Sequence, residues 1–184
     1  MLIEMQTTKP RPTVNIALIG IFTALWVALN VTVAPISFML TGLPVIHSAI
    51  IFFMIILVVW ATGQIGAASF VATIGSAIVL LANPSVIAVL GFVPAAIALD
   101  LIFLVNHHKI SLKPTSIAFI VVATIICAYM AAVVNGFFIL NLSAVFTLTF
   151  WAGFVIAGAL IGVAFALSIV GALERAQVKR VEAQ

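Results

Sequence analysis

Six long apolar segments, separated by short breaks, make up most of this chain. They cover residues 15–33, 44–60, 65–81, 84–105, 114–134 and 143–173. Each is within or above the range of about 17–25 residues that an α-helix needs to cross the hydrocarbon core of a bilayer. The pattern therefore predicts an all-α polytopic membrane protein with six transmembrane helices.

The breaks between these segments contain residues that begin or end helices. Pro44 and Pro84 each stand in the predicted first turn of a helix, where the missing N–H of proline costs nothing. Asn83 precedes Pro84 as a helix N-cap. Residues 34–43 and 135–141 are both uncharged and are predicted to be connections, the first of them at the membrane interface.

Charge is scarce and lies on one side of the predicted bundle. Only 6% of the residues are charged, whereas a soluble domain needs about a quarter. The seven basic residues are Lys9, Arg11, Lys109, Lys113, Arg175, Lys179 and Arg180. With six spans, all seven fall on the side of the two termini, and the positive-inside rule places that side in the cytoplasm. We therefore expect a multi-pass protein of the cell membrane, with a cytoplasmic leader at 1–13, a membrane domain at 14–173 and a basic cytoplasmic tail at 174–184.

The sequence contains none of several common short catalytic motifs. It contains no HExxH, no GxSxG, no cysteine pair and no Gly-rich phosphate-binding loop. Glu4, Glu174 and Glu182 belong to the tails, so Asp100 is the only acid within a predicted span. We expect this chain to have no enzyme activity, no cofactor and no metal site.

The ionisable residues around the fourth segment have two interpretations each. An acid at mid-membrane costs roughly 2.5–3.5 kcal/mol on insertion scales, which makes Asp100 a functional candidate. It lies close before Asn106, however, and we favour an interfacial carboxylate paired with Lys109. For His107 and His108, capping of the helix end is favoured over metal binding, because no third ligand is close in sequence.

The predicted outer ends of the helices carry the candidate binding residues. Helices 2, 4 and 6 begin there, and their free N–H groups can receive an anion such as a carboxylate. The candidate substrate-binding residues are His47, Asn83, Ser85, Asn135, Asn141, Ser143 and Trp151, with Phe137, Phe138, Phe146 and Phe150 nearby. A mostly apolar, aromatic pocket with a few polar groups suits a small organic molecule. The alternative is that Asn83 and Ser143 only cap helices and that the aromatic residues form an interfacial belt.

Three helices carry small residues at four-residue spacing, which leaves a smooth face where another helix can approach closely. The first stripe is Gly20, Ala24 and Ala28, the second is Ala68, Ala72 and Ser76, and the third is Gly158, Gly162 and Ala166. The first stripe, on helix 1, is predicted to be a subunit interface.

The segment Ala24-Leu25-Trp26-Val27-Ala28 matches an Ala-x-x-x-Ala motif, and the whole architecture resembles the S components of energy-coupling-factor (ECF) vitamin transporters. In that family the motif meets the coupling helices of an integral T subunit, and two ATPase subunits supply the energy. The resemblance implies a substrate-binding subunit that captures a molecule from outside, under the loop between helices 1 and 2. The nickel and cobalt members of that family resemble one another in a His-containing N-terminal segment. Residues 1–13 contain no His, which counts against these metals as the substrate.

The expected substrate is therefore a small neutral or singly anionic vitamin-like molecule, since the predicted outer loops contain neither acids nor Lys or Arg. Two alternatives stay open. A self-associating scaffold protein would use the three stripes for packing against its own copies. A small solitary carrier would transport without partners, although such carriers often show internal repeats and broken helices, neither of which is evident beyond Pro94 in helix 4.

Overall fold

The computed structural model describes residues 12–106 and 110–176, and within these ranges the chain is helical without a strand. Six helices follow one another: α1 (Pro12–Thr41), α2 (Val45–Thr62), α3 (Ala67–Ala82), α4 (Pro84–Leu104), α5 (Pro114–Ile139) and α6 (Ala144–Arg175). The predictions made for Lys9, Arg11, His107, His108, Lys109, Lys179 and Arg180 lie outside the described residues. The all-α class is confirmed for the described part.

Five of these helices are long and apolar enough to cross a membrane, namely all except α3. The apolar α3 has 16 residues, which at 1.5 Å per residue makes it roughly 24 Å long. The fold is thus compatible with a multi-pass membrane protein, and the sixth span stays a prediction.

The end of α1 differs from the prediction, which ended the helix at residue 33. The helix continues through Pro35 to Thr41, so residues 34–41 are not a connection. Gly42 ends it: φ is +66°, and its N–H donates to the carbonyl oxygen of Phe38 at 2.7 Å. Glycine adopts this left-handed conformation without a steric penalty, whereas Pro35 removes one hydrogen bond and crowds the preceding turn without ending the helix.

The predicted connection at 135–141 is also wrong over most of its length. Helix α5 continues as a π-helical turn, Val134–Ile139, and the backbone reverses only after it. Helix α6 contains a second π-helical turn, Thr147–Trp151, and α4 begins as a 3-10 helix, Pro84–Gly91, in which Val86 departs from helical geometry. The irregularity of α4 thus precedes Pro94.

Small residues determine how closely α2 and α6 pack. A Cβ atom at Gly158 or Gly162 would collide with the backbone oxygen of Val45 or Ala49, respectively. The third stripe is therefore buried within the chain. The second stripe on α3 is buried as well, and beside it Gly75 receives the indole ring of Trp26 from α1.

Gly162→Leu is expected to destabilise the protein, because the leucine would push α6 away from the backbone of α2. We expect a loss of at least about 1–3 kcal/mol, measured as thermal unfolding in detergent. Gly153→Leu is the matched control on the same helix, since a Cβ there meets nothing within 4 Å. Equal stability of the two variants would contradict this packing.

Asp100 fastens α4 to the first turn of α3. Its Oδ2 accepts hydrogen bonds from the backbone N–H of Ser69 at 2.7 Å and from the Ser69 hydroxyl at 2.5 Å. A carboxylate is favourable at a helix N-terminus, where N–H groups lack intrahelical partners. The structure thus gives Asp100 a structural contact with α3, whereas its predicted partner Lys109 lies outside the described residues.

Candidate ligand-binding site

A cavity of about 300 Å³ lies at the end of the bundle where α2, α4 and α6 begin, which we call the cavity end. Its lining residues are Ala34, Pro35, Phe38, Met39, Pro44, His47, Ser85, Val86, Ile87, Ala88, Phe92, Asn135, Leu140, Trp151 and Val155. They come from five of the six helices and from the residues beside their ends. The volume is at the lower end of the roughly 300–1,000 Å³ that is typical of small-molecule sites.

Three irregular helical segments converge on this cavity. The 3-10 start of α4 contributes Ser85 and its neighbours, the π-turn of α5 contributes Asn135, and the π-turn of α6 contributes Trp151. Irregular backbone at membrane depth is tolerated where it is buried in protein or lines a cavity, and π-turns occur frequently at functional sites. The 3-10 segment of α4 and the π-turns of α5 and α6 therefore all lie beside the cavity.

His47 is held by a chain of two hydrogen bonds. The side-chain Nδ2 of Asn30 donates to the backbone oxygen of Trp26 at 2.8 Å, so Asn30 Oδ1 faces His47 Nε2, also at 2.8 Å. An amide oxygen only accepts, and Nε2 must therefore carry the proton. In the neutral imidazole this leaves Nδ1 as an acceptor on a ring that lines the cavity.

Aromatic rings fix the inner wall next to His47. The rings of His47 and Phe92 meet edge to face, with centroids 5.2 Å apart, and Phe92 meets Phe52 in the same manner at 6.3 Å. Such edge-to-face pairs are favourable beyond the apolar area that they bury. These contacts connect the cavity wall to the core of the bundle.

Asn135 is buried against the start of α4. A Cβ atom at Gly91 would collide with its amide group, so only glycine at position 91 lets the amide lie there. Asn135 is 2% exposed, and its Oδ1 has no hydrogen-bond partner within the described part of the chain. A neighbouring close approach, between Gly136 and Thr147, brings the two π-turns together.

Trp151 is the second lining residue with an unused buried polar atom. The residue is 7% exposed, and its Nε1–H finds no acceptor among the described residues. Buried indole N–H groups usually have a partner. Both Asn135 and Trp151 thus carry hydrogen-bonding capacity that the described protein leaves unused.

Four of the seven candidate residues line the cavity: His47, Ser85, Asn135 and Trp151. The other three are not among the lining residues.

Asn83 acts as a cap: its Oδ1 accepts from the N–H of Ser85 at 3.2 Å and from the Ser85 hydroxyl at 2.6 Å. Asn141 is exposed and has φ +51°, a left-handed conformation that asparagine tolerates better than most residues. Ser143 is also exposed; it precedes α6, and its backbone oxygen accepts from the N–H of Thr147 at 2.9 Å. These three residues thus have roles in local backbone structure.

The aromatic residues expected beside the site point elsewhere. Phe146 and Phe150 stack on each other, with centroids 6.0 Å apart, and both are exposed. Phe138 is 81% exposed, and neither it nor Phe137 lines the cavity. Their positions are those expected of an interfacial belt.

The sequence predicted that residues 34–43 form a loop over the site, but the candidate site residues included no residue of this segment and not Asn30, which supports His47. Ala34, Pro35, Phe38 and Met39 form one wall because α1 extends past Pro35, which the sequence pattern did not indicate. The sequence does contain a signal for Asn30: it is an amide within an otherwise apolar span, and such a residue is expected to have a specific polar partner.

The lining contains no Lys, Arg, Asp or Glu among the described residues, and no described group of three or more His, Cys, Asp or Glu is placed to hold a metal ion. The arrangement can bind a mainly apolar molecule and offer it a few hydrogen bonds. Comparison with protein-family models, with curated proteins and with solved structures finds no match to this chain.

Proposed function

We propose that this chain is the substrate-binding membrane subunit of an ATP-driven importer of the ECF type, which captures a small vitamin-like molecule from outside. The observation that carries the proposal is the cavity itself: three irregular helical segments and the end of α1 enclose about 300 Å³ that is mostly apolar. Enclosure by rigid elements, with few polar groups, is what a small organic ligand needs.

The exposed stripe on α1 supports a partner subunit. Gly20, Ala24 and Ala28 are all exposed, while Trp26 and Asn30 on the opposite side of α1 face the bundle. The other two stripes pack within the chain, which leaves the first available for an integral T subunit. In this proposal two ATPase subunits act through that T subunit.

The described basic residues support the proposed orientation. Lys113 precedes α5 and Arg175 lies in the last turn of α6, so both are at the end opposite the cavity. The positive-inside rule makes that end cytoplasmic and directs the cavity outward. The proposal therefore includes six spans, cytoplasmic termini and the cell membrane as location.

Cysteine labelling tests this topology in a background where Cys127 is replaced. Cysteines introduced at positions 9, 113 and 179 are expected to be shielded from an impermeant reagent in intact cells, and Lys113 is an exposed position. Cysteines at positions 41 and 139 are expected to react, because they lie at the cavity end. Labelling of the cysteine at 113 from outside would contradict the topology.

A thermal-shift screen of small metabolites on the detergent-solubilised protein tests the binding function. At least one compound is expected to raise the unfolding temperature of the wild type, and Trp151→Ala should weaken its binding by roughly 5- to 100-fold, because a wall and a donor are lost. Phe150→Ala is the matched control, since Phe150 is exposed and outside the lining. A compound that stabilises all three proteins equally does not bind in this cavity, and the absence of any stabilising compound would contradict the proposed function.

A further inference from the structure

The starts of the three helices at the cavity end decide whether the cavity can hold an anion. The first N–H groups of a helix attract anions only when they are free and face the ligand. At the start of α4 none is free: Pro84 has no N–H, that of Ser85 donates to Asn83 Oδ1, and that of Val86 donates to Asn83 O. Asn83, a predicted substrate-binding residue, thus accepts the hydrogen bonds of these N–H groups itself.

The starts of α6 and α2 differ in their position relative to the cavity. In α6 the first residues, Ala144–Phe146, are exposed and are not among the lining residues. In α2, Val45 and Ile46 line a separate, wholly apolar groove between α2 and α6, whereas Pro44 before the helix and His47 in its first turn line the cavity, and no side chain caps this helix start. The cavity is thus bordered by one uncapped helix start, that of α2, rather than by the three that the sequence predicted.

Side-chain charge does not replace these donors. His47 is the one titratable residue among the described lining residues, and its Nε2–H is already donated to Asn30. No described lining carboxylate would balance an imidazolium, and an unpaired charge in an apolar site is costly. A cationic or an anionic ligand would likewise find no Lys, Arg, Asp or Glu side chain of opposite charge among the described lining residues.

Besides the Nδ1 acceptor of His47, two neutral polar groups of lining residues have no hydrogen-bond partner among the described residues: the indole N–H of Trp151 and the amide Oδ1 of Asn135, both of residues more than nine-tenths buried. We infer that the ligand is an uncharged, mainly apolar ring compound with a hydrogen-bond acceptor for Trp151 and a donor for Asn135. This inference rests on the proposed function, and it narrows the expected substrate by excluding the singly anionic class.

Matched amide and carboxylate pairs test the charge. The probes are benzamide against benzoate and indole-3-acetamide against indole-3-acetate, added at millimolar concentration to the purified full-length protein and followed by thermal shift. Each pair keeps the ring and replaces an uncharged amide, which has N–H donors, by a carboxylate, which is charged and only accepts hydrogen bonds. We expect the amides to bind at least about tenfold more tightly than the carboxylates, since a buried unpaired charge is penalised. Carboxylates that bind as tightly as their amides would overturn the inference, as would the absence of binding by all four compounds.

Trp151→Phe tests the hydrogen bond while keeping an aromatic ring. Benzamide binding should weaken by roughly tenfold, whereas ethylbenzene, which has a similar ring and no acceptor, should bind both proteins alike. Phe150→Leu, at an exposed position outside the lining, is the control. Unchanged benzamide affinity in Trp151→Phe would overturn the assignment of the donor.

The two proposals fail in different ways. If a charged metabolite from the broad screen binds, and loses affinity in Trp151→Ala, the binding function stands and the uncharged class is wrong. If neither the screen nor the probe pairs yield a ligand, the binding function itself is contradicted.

Discussion

Replacing Ala24 or Ala28 with tryptophan is expected to abolish transport and assembly with a T subunit, and to leave ligand binding by the isolated protein nearly unchanged. Helices in lipid associate through close packing rather than through the hydrophobic effect, so a bulky residue on a smooth face separates them. Both alanines are exposed on α1, and neither lines the cavity.

Uptake by cells and co-purification of partner subunits measure the first effect, and thermal shift with the ligand measures the second. Ala157→Trp is the matched control, because Ala157 is also exposed but lies on α6. Loss of ligand binding in Ala24→Trp would show that the α1 face is not separable from the site. Loss of self-association, with no ligand effect to measure, would favour the scaffold interpretation.

Filling the cavity with a large side chain should abolish ligand binding and leave subunit assembly intact, the reverse of the effect expected for the α1 variants. In Ala88→Trp the indole ring would occupy much of the roughly 300 Å³ beside the start of α4. We expect ligand affinity to fall by at least about 100-fold, because the ligand and the new side chain compete for one space, while assembly with partner subunits persists.

Affinity is measured by titration of the ligand against the unfolding temperature of the purified variants. Ala144→Trp is the control, since Ala144 is exposed at the same end of the bundle and is not a lining residue. Equal affinity of Ala88→Trp and wild type would move the ligand site away from this cavity.

The positions of the helices could be predicted because bilayer thickness imposes a length on each apolar segment. The ends were harder. Residues 34–43 were predicted to be a connection, but an apolar environment favours continued helix over unpaired backbone, and Gly42 provides the actual end of α1. The predicted connection at 135–141 likewise proved to be a π-helical turn, Val134–Ile139, over most of its length.

The site could be predicted only in part, for a reason that Asn83 and Asn135 illustrate. Both are amides next to predicted helix ends, and sequence alone gives them equal weight. In the structure Asn83 satisfies local N–H groups, whereas Asn135 is buried against Gly91 and lines the cavity. The difference depends on which segments approach one another, which is tertiary information that local spacing does not contain.

The small-residue stripes show the same limit. All three share one spacing, yet two are buried by contacts within the chain and only that of Gly20, Ala24 and Ala28 is exposed. Spacing predicts that a face is smooth, and only the packed bundle determines whether the chain itself covers it.

Affinity purification of the tagged full-length chain from its own cells in mild detergent, with mass spectrometry of the eluate, tests the central claim most directly. The proposed function predicts an integral membrane subunit and two ATPase subunits in stoichiometric amounts, all lost in Ala24→Trp and retained in Ala157→Trp. A wild-type chain that elutes alone, and that by itself drives robust uptake of its ligand into proteoliposomes, would contradict the assignment.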